Sequence, residues 1–182
     1  MSDATFPIYD SHAHLISDDL DRYPQQPVVL DFKKIPKGSP FGPGVIGFPG
    51  GLHGPNPINL KPTAEQLYGW MQEENVVGIA AVQKGLIYRT DNSYIVDAAN
   101  LFPEEMSAVI IVDPMESKTL SMIRELSTQG VVGIRFFPID PAVDKIAWLS
   151  SPESMAAWEL ADELGLIVDI EAPPTNQNEL IP

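Results

Sequence analysis

The chain has 182 residues, of which 44% are hydrophobic, and its 25 acidic and 11 basic side chains give a net charge of −14. This charge argues against nucleic acid and anionic membranes as partners, since both require basic patches, and the absence of cysteine excludes disulfides, thiolate metal sites and a cysteine nucleophile. The length suits one domain with its own core, and without a long apolar run or a signal-peptide pattern we expect a cytoplasmic protein.

The first predicted element is a strand from Ile8 to Leu15, within FPIYDSHAHL. It carries Asp10, His12 and His14 at alternate positions, so these side chains are expected to project from one face. Two imidazoles placed in this way can bind one divalent cation, and a nearby carboxylate can complete or orient the set. The alternative is a pair of hydrogen-bonded histidines at a strand end, and the motif alone does not decide between the two.

A long segment rich in proline and glycine follows, from about residue 16 to 62. Its composition does not suit a helix or a central strand. Segments of this length inside a compact domain are usually functional lids or disordered, and we expect a lid. The segment contains His53, which is a candidate for substrate binding; a solvated loop histidine is the alternative.

From Thr63 onward, helical and strand patterns alternate. Thr63 and Gln66 form a capping signal at the start of the first helix, and Gly130 is expected to cap the third. Helices are predicted at 63–74, 91–102, 117–130 and 151–165, and apolar strands at 76–82, 106–114, 131–137 and 166–172.

One strand followed by four helix–strand units predicts a parallel α/β sheet. The tetrapeptide VVGI occurs at 76–79 and again at 131–134, which suits a barrel of equivalent units. A doubly wound sheet is the alternative, but no G-x-G-x-x-G motif follows the first strand.

Ligands of parallel α/β folds bind at the carboxyl ends of the strands, so polar residues there are candidates for a site. Arg135 lies inside the fourth apolar strand, where a charged residue is rare unless paired. It can form a buried ion pair with Glu171 or Asp169 of the fifth strand, or it can hold a substrate carboxylate or oxyanion in bidentate fashion.

Three further candidates follow the second strand: Lys84, Tyr88 and Arg89. The chain has few basic residues, and several of them fall near one predicted rim. This distribution favours an anionic or oxygen-rich ligand, although Lys84 and Arg89 can equally be solvated loop cations.

The sequence resembles the amidohydrolase superfamily, within it the amidohydrolase-related TIM-barrel hydrolases, in the segments IYDSHAHL, VVGIAAVQ, TDNSYIVDAANLFPEEMSAVIIVDP and GVVGIRFFP. The combination looks most like the branch that contains sugar-lactone hydrolases and 2-pyrone-4,6-dicarboxylate lactonase. This resemblance implies a (β/α)₈ barrel in which His12 and His14 match metal ligands of the first strand. The metal, usually zinc, polarises a carbonyl and lowers the pKa of a bound water.

The chain departs from the family pattern in two places. Where many members have a metal-binding histidine on strand five, it has VDIEAPP with Glu171, and some members of the branch work without metal. His12 and His14 can then position substrate or water directly. Only five strands are predicted, and the family's histidine of strand six and aspartate of strand eight have no counterpart.

We therefore expect residues 1–182 to be the N-terminal part of a single barrel domain, an incomplete barrel of about five βα units. An open sheet of this kind exposes an edge at its fifth strand, through which copies of the chain can associate.

The leading hypothesis is hydrolysis of a lactone or a similar carboxylate-bearing ester, with His12, His14 and Glu171 as catalytic residues. The substrate-binding candidates are Arg135, Lys84, Arg89, Tyr88 and His53. Two alternatives remain open: a decarboxylase or amide hydrolase of the same superfamily, and an inactive barrel fragment that only binds or associates.

Overall fold

The computed structural model describes residues 6–26, 62–137 and 149–171, and its elements are numbered within these ranges. Five parallel strands form one sheet in the order β1-β2-β3-β4-β5. The strands are β1 (Ile8–Ala13), β2 (Val76–Val82), β3 (Met106–Val112), β4 (Val131–Phe136) and β5 (Ile167–Ile170). The described helices are α1 (Ala64–Glu74), α2 (Gly85–Tyr88), α3 (Ser93–Leu101), α4 (Thr119–Leu126) and α5 (Pro152–Leu164).

The predicted order of strands and helices is confirmed, with the short helix α2 as an addition. The sheet curls into a half-barrel, so the predicted fold class, an incomplete TIM-type α/β barrel, is also confirmed. That the chain is the N-terminal part of one barrel domain stays a prediction. No helix in the described ranges has the length and apolar character needed to cross a bilayer.

Local sequence explains where the helices begin and end. Thr63 and Gln66 form the predicted capping box at the start of α1, and Ser151 accepts a hydrogen bond from the Ser154 N–H at the start of α5. Gly165 ends α5 with φ of 67°, a conformation that glycine adopts without strain. The predicted cap at Gly130 is wrong: α4 already ends at Leu126, and Gly130 takes φ of 81° in the turn that leads into β4.

The core is densest around β3, the central strand of the sheet, on which helix α3 packs. Ala108, Ile110, Ile111 and Val112 are completely buried, as continuous apolar runs in parallel sheets are expected to be. Helix α3 packs on β3, and α1 packs on β2. The carboxyl ends of the inner strands are therefore supported by a closely packed core.

The two outer strands are much more exposed than the inner ones. Tyr9 on β1 is 74% exposed and Ile167 on β5 is 63% exposed. Unpaired strand edges with apolar side chains can template association. Association of two copies through such an edge stays a prediction.

The predicted lid segment is described only at its two ends. The Ile16 N–H donates to the Pro62 carbonyl (3.1 Å), and the Gln26 N–H donates to the Ile87 carbonyl (2.7 Å). Both ends are thus attached next to the strand ends. Residues 27–61, with His53, lie outside the described residues, and the lid stays a prediction.

Gly85 offers a test of the packing after β2. A Cβ atom at this position would lie 2.7 Å from Phe137 Cδ1 and 2.8 Å from Ile111 Cδ1, both buried side chains. We expect Gly85→Ala to lower the free energy of unfolding by about 1–3 kcal/mol, measured by urea denaturation, because the core must shift. Gly69→Ala is the matched control: Gly69 is exposed in the interior of α1, and a Cβ there meets nothing within 4 Å, so this substitution should stabilise the chain by about 0.5–1 kcal/mol. Equal effects of the two substitutions would contradict close packing of Phe137 and Ile111 around Gly85.

Candidate active site

The histidines of the D-S-H-A-H motif meet at the carboxyl end of β1. His12 Nε2 and His14 Nε2 are 3.3 Å apart, and the two rings lie edge to face at 84°. His14 Nδ1 lies 2.7 Å from the carbonyl oxygen of Val82, the last residue of β2. Since a carbonyl only accepts, His14 carries its proton on Nδ1, and its Nε2 lone pair faces His12.

Asp10 contacts the backbone of the motif, and its predicted part in completing or orienting the histidine set stays a prediction. Its Oδ1 accepts a hydrogen bond from the backbone N–H of His12 (2.9 Å), so the carboxylate supports the strand backbone. The register between β1 and β2 shifts between Asp10 and Ala13, which disturbs the simple alternation of faces. His12 and His14 converge in spite of this irregularity.

Both imidazoles favour the neutral form. Burial is the main cause that lowers the pKa of His14, to about 3, and the positive charge of Lys84 adds to it. Burial and the charge of Arg135 also lower the pKa of His12, while Asp169, Glu171 and Asp10 act in the opposite direction. Neutral imidazole is the form that binds metal ions and accepts protons.

The spacing of the two nitrogens fits two ligands of one metal ion. Nitrogens bound to a tetrahedral zinc at 2.0–2.1 Å stand about 3.3–3.4 Å apart. A histidine ligand typically donates its other ring N–H to a carbonyl or carboxylate, as His14 does to Val82. Within the described ranges no group of three or more His, Asp or Glu side chains could hold a metal. The predicted metal site at His12 and His14 stays a prediction.

Arg135 lies between two carboxylates at the ends of β4 and β5. It is 6% exposed, and its Nη2 donates to Glu171 Oε2. Its Nε is 3.0 Å from Asp169 Oδ2, but the N–H is not directed at this oxygen, and neither atom has a hydrogen bond within the described residues. The predicted ion pair is therefore present with both acids, and the predicted role of Arg135 in binding substrate stays a prediction.

The curl of the sheet brings this charged group towards the histidines. His12 lies on the first strand and Asp169 on the fifth, yet the charges of Arg135, Asp169 and Glu171 all act on the His12 imidazole. The Arg135 guanidinium also lies over the Phe137 ring, 5.4 Å from its centroid. One rim thus holds two neutral imidazoles, one guanidinium and two carboxylates.

The other predicted binding residues are more dispersed. Lys84 is partly buried and close enough to His14 to lower its pKa, whereas Arg89 is exposed at the end of α2 with φ of 54°. Tyr88 is 1% exposed, and its hydroxyl accepts a hydrogen bond from the Ser17 N–H (2.9 Å). The prediction that Tyr88 contacts substrate at the rim is corrected: this side chain is part of the core. His53 lies outside the described residues.

Two buried amides near the site were not predicted as functional. Gln83 is 1% exposed and Asn92 is 4% exposed. The Gln83 side chain binds backbone groups in the segment after β2, and the Asn92 side chain binds those of Ile111 near the end of β3. Asn92 belongs to the T-D-N-S stretch before α3, where it reads as an ordinary helix-start residue. Its contact with β3 depends on the tertiary fold, so local sequence gave no signal for it.

A separate cavity of about 510 Å³ lies between the segment after β1 and helices α1 and α3. None of the candidate site residues lines it. Tyr23 donates to Asp97 there (2.6 Å), and burial is the main cause that raises the pKa of Tyr23 to about 12. Arg22 also pairs with Asp97 (2.7 Å), so these contacts attach the segment after β1 to α3.

Comparison with known proteins supports the resemblance found in the sequence. A family model described as amidohydrolase matches residues 9–181. A comparison with curated proteins found no match.

Similar solved structures are also found. A protein from Acinetobacter baumannii assigned as a 2-pyrone-4,6-dicarboxylic acid hydrolase, with citric acid bound, has 19% identity and a TM-score of 0.63 over 96% of this chain and 53% of its own. A protein from Agrobacterium tumefaciens in its apo form has 18% identity and a TM-score of 0.60, over 95% and 49%. A Pseudomonas putida protein assigned as a 2-pyrone-4,6-dicarboxylic acid hydrolase has 18% identity and a TM-score of 0.57, over 89% and 47%. The chain thus spans about half the length of these structures.

Proposed function

The chain belongs to the amidohydrolase family, and on this premise we propose that it acts as a metal-assisted hydrolase of lactones or similar carboxylate-bearing esters. Members of the family are generally metal-dependent. Two of the similar structures are assigned as hydrolases of 2-pyrone-4,6-dicarboxylic acid, a lactone with two carboxyl groups.

The observation that carries the proposal is the His12–His14 pair. Its two Nε2 atoms lie 3.3 Å apart at the carboxyl end of β1, where ligands of parallel α/β folds bind. His14 has its Nε2 lone pair available because Nδ1 donates to Val82. Arg135 and Glu171 stand at the ends of β4 and β5 on the same curled sheet.

Hydrolysis of a lactone forms a bond between a water oxygen and the carbonyl carbon and breaks the ring C–O bond. The water loses one proton, the leaving ring oxygen gains one, and the product is a hydroxy acid. We assign proton transfer to Glu171, whose side chain is 33% exposed and reaches the rim. Arg135, with Lys84 and Arg89, is assigned to the anionic end of the substrate.

A divalent metal, zinc in our proposal, supplies a Lewis acid that polarises the carbonyl and lowers the pKa of water when bound. In this chain His12 and His14 would hold it. His14 is kept neutral by burial and oriented by Val82, so it needs no rearrangement to act as a ligand. If the chain works without metal, the same two imidazoles position substrate or water.

The full chain should be assayed against five- and six-membered lactones with and without a carboxylate substituent. Each turnover releases one proton at neutral pH, so a pH-stat measures hydrolysis of unlabelled substrate. We expect turnover of a carboxylate-bearing lactone and loss of turnover after treatment with a chelator, restored by zinc.

Parallel assays with amides and with carboxylic acids that can lose CO₂ distinguish the two other superfamily reactions. Turnover of an amide, or CO₂ release, with inert lactones would replace lactone hydrolysis by that reaction. If the well-folded, zinc-loaded chain turns over none of these substrates, the result would favour the third alternative, an inactive barrel fragment that only binds or associates. Unchanged turnover after complete metal removal would refute the role of the metal.

A further inference from the structure

A continuous chain of hydrogen bonds runs from β3 to the His14 imidazole through one peptide group. The Gln83 N–H donates to the Val109 carbonyl (2.9 Å), and the Val82 carbonyl accepts from His14 Nδ1 (2.7 Å). The Val82 carbonyl and the Gln83 N–H belong to the same planar peptide group, so fixing one fixes the other. Donation by this N–H also strengthens the carbonyl as an acceptor.

The Gln83 side chain holds this peptide in place at the point where β2 ends. Its Nε2 donates to the Asp91 carbonyl, and its Oε1 accepts from the Lys84 N–H (3.1 Å). The chain turns away from the sheet into α2 immediately afterwards. At 1% exposure the amide has no access to substrate, so its bonds act on the backbone alone.

Asn92 completes the sheet beyond the end of β2. The register between β2 and β3 runs to Val82 opposite Val109, and Ile111 lies two residues further along β3. Asn92 Oδ1 accepts from the Ile111 N–H (2.9 Å), and its Nδ2 donates to the Ile111 carbonyl (2.9 Å). The side-chain amide thus takes the place of the carbonyl and the N–H that two further residues of β2 would offer to Ile111, and it attaches the far end of the 83–92 segment.

We infer that Gln83 is a positioning residue for His14: through the Val82–Gln83 peptide it keeps the His14 proton on Nδ1 and directs the Nε2 lone pair towards His12. Asn92 supports this arrangement by holding the other end of the segment. The importance of His14 itself rests on the proposed function, but its tautomer can be measured without substrate or turnover.

The direct test is ¹⁵N NMR of the histidine rings in the chain freed of metal. The chain has only three histidines, so His12→Gln and His53→Gln variants assign the three rings. We expect the wild-type His14 ring to be protonated on Nδ1, and Gln83→Met to give a mixture of both tautomers. Titration with Co²⁺, followed by its visible absorption, should show an affinity about 10–100-fold weaker for Gln83→Met.

Asn100→Leu is the matched control. Asn100 also donates to two backbone carbonyls, of Val96 (3.0 Å) and Gln129 (3.1 Å), but at the other end of α3. It should leave the His14 tautomer and the Co²⁺ affinity unchanged even if the unfolding midpoint falls. Gln83→Glu, which keeps an acceptor for the Lys84 N–H, serves as a second variant if Gln83→Met does not fold.

Wild-type His14 protonated on Nε2 would overturn the inference at once. A folded Gln83 variant with an unchanged tautomer and unchanged Co²⁺ affinity would also overturn it. Failure of both Gln83 variants to fold would make Gln83 a residue of the fold, not a positioning residue. Absence of lactone turnover in the wild-type chain, with the tautomer shift still present, would refute the proposed function alone.

Discussion

Replacing either His12 or His14 by alanine is expected to lower the rate of hydrolysis by about 10²–10⁴-fold and to remove bound zinc from the purified chain. The two Nε2 atoms lie 3.3 Å apart, a spacing that suits two ligands of one metal ion, so the loss of either imidazole would remove one of the two proposed ligands. His14→Ala also removes the donor to the Val82 carbonyl, which should cost about 1 kcal/mol of stability. Zinc content is measured by mass spectrometry of the metal, and activity by the pH-stat assay.

Ser11→Ala is the control for these two variants. Ser11 is an exposed residue of the same strand, between the acidic residue and the first histidine of the motif. It should retain both zinc and activity. Zinc content equal to wild type in His12→Ala and His14→Ala would refute the metal site. If the wild-type chain holds no metal and the variants still lose activity, the two imidazoles would instead position substrate or water directly.

Arg135→Met is expected to be the most destabilising single substitution at the rim. It would leave Asp169 and Glu171 next to each other without the guanidinium that lies between them. Breaking a buried ion pair by removing one partner costs about 3–5 kcal/mol. Because the two carboxylates are 34% and 33% exposed, solvent screens part of the repulsion, and we expect a loss of about 2–3 kcal/mol in urea unfolding.

Two further variants identify the cause of this loss. The triple variant Arg135→Met/Asp169→Asn/Glu171→Gln removes the uncompensated charges and should recover most of the lost stability. Arg124→Met breaks a bidentate pair with Glu163 at 2.8 and 3.0 Å, but on an exposed surface, and should have a much smaller effect. A triple variant as unstable as Arg135→Met would show that packing of the Arg135 side chain, and not charge, is responsible.

The rim also limits how an anionic substrate can bind. Two carboxylates already contact the guanidinium of Arg135, one by a hydrogen bond and one by charge alone. A substrate carboxylate would therefore have to use other guanidinium edges or displace an acid. The substitution Glu171→Gln affects both sides of this competition in the lactone assay. It weakens the contact between residue 171 and Arg135, and it removes the carboxylate to which proton transfer is assigned.

Patterns along the sequence were sufficient for the sheet and its helices. The apolar run at 76–82 and the cap signal at Thr63 depend on neighbours in the chain, and these elements formed as predicted. Short-range signals did not predict the C-terminal end of α4 or the presence of α2. Helix α4 ended at Leu126, before the glycine predicted to cap it, and α2 formed in four residues that carry no helical period.

The sequence by itself determined the parallel α/β order, the family resemblance and the position of two histidines at a strand end, because strand and helix periods and motif spacing are properties of neighbouring residues. Only the tertiary structure decided which groups those histidines meet. The bond from His14 to Val82 joins residues 68 positions apart, and Arg135 meets Glu171 across 36. Such contacts depend on the register and curl of the sheet, which also placed Tyr88 in the core and Asn92 against β3.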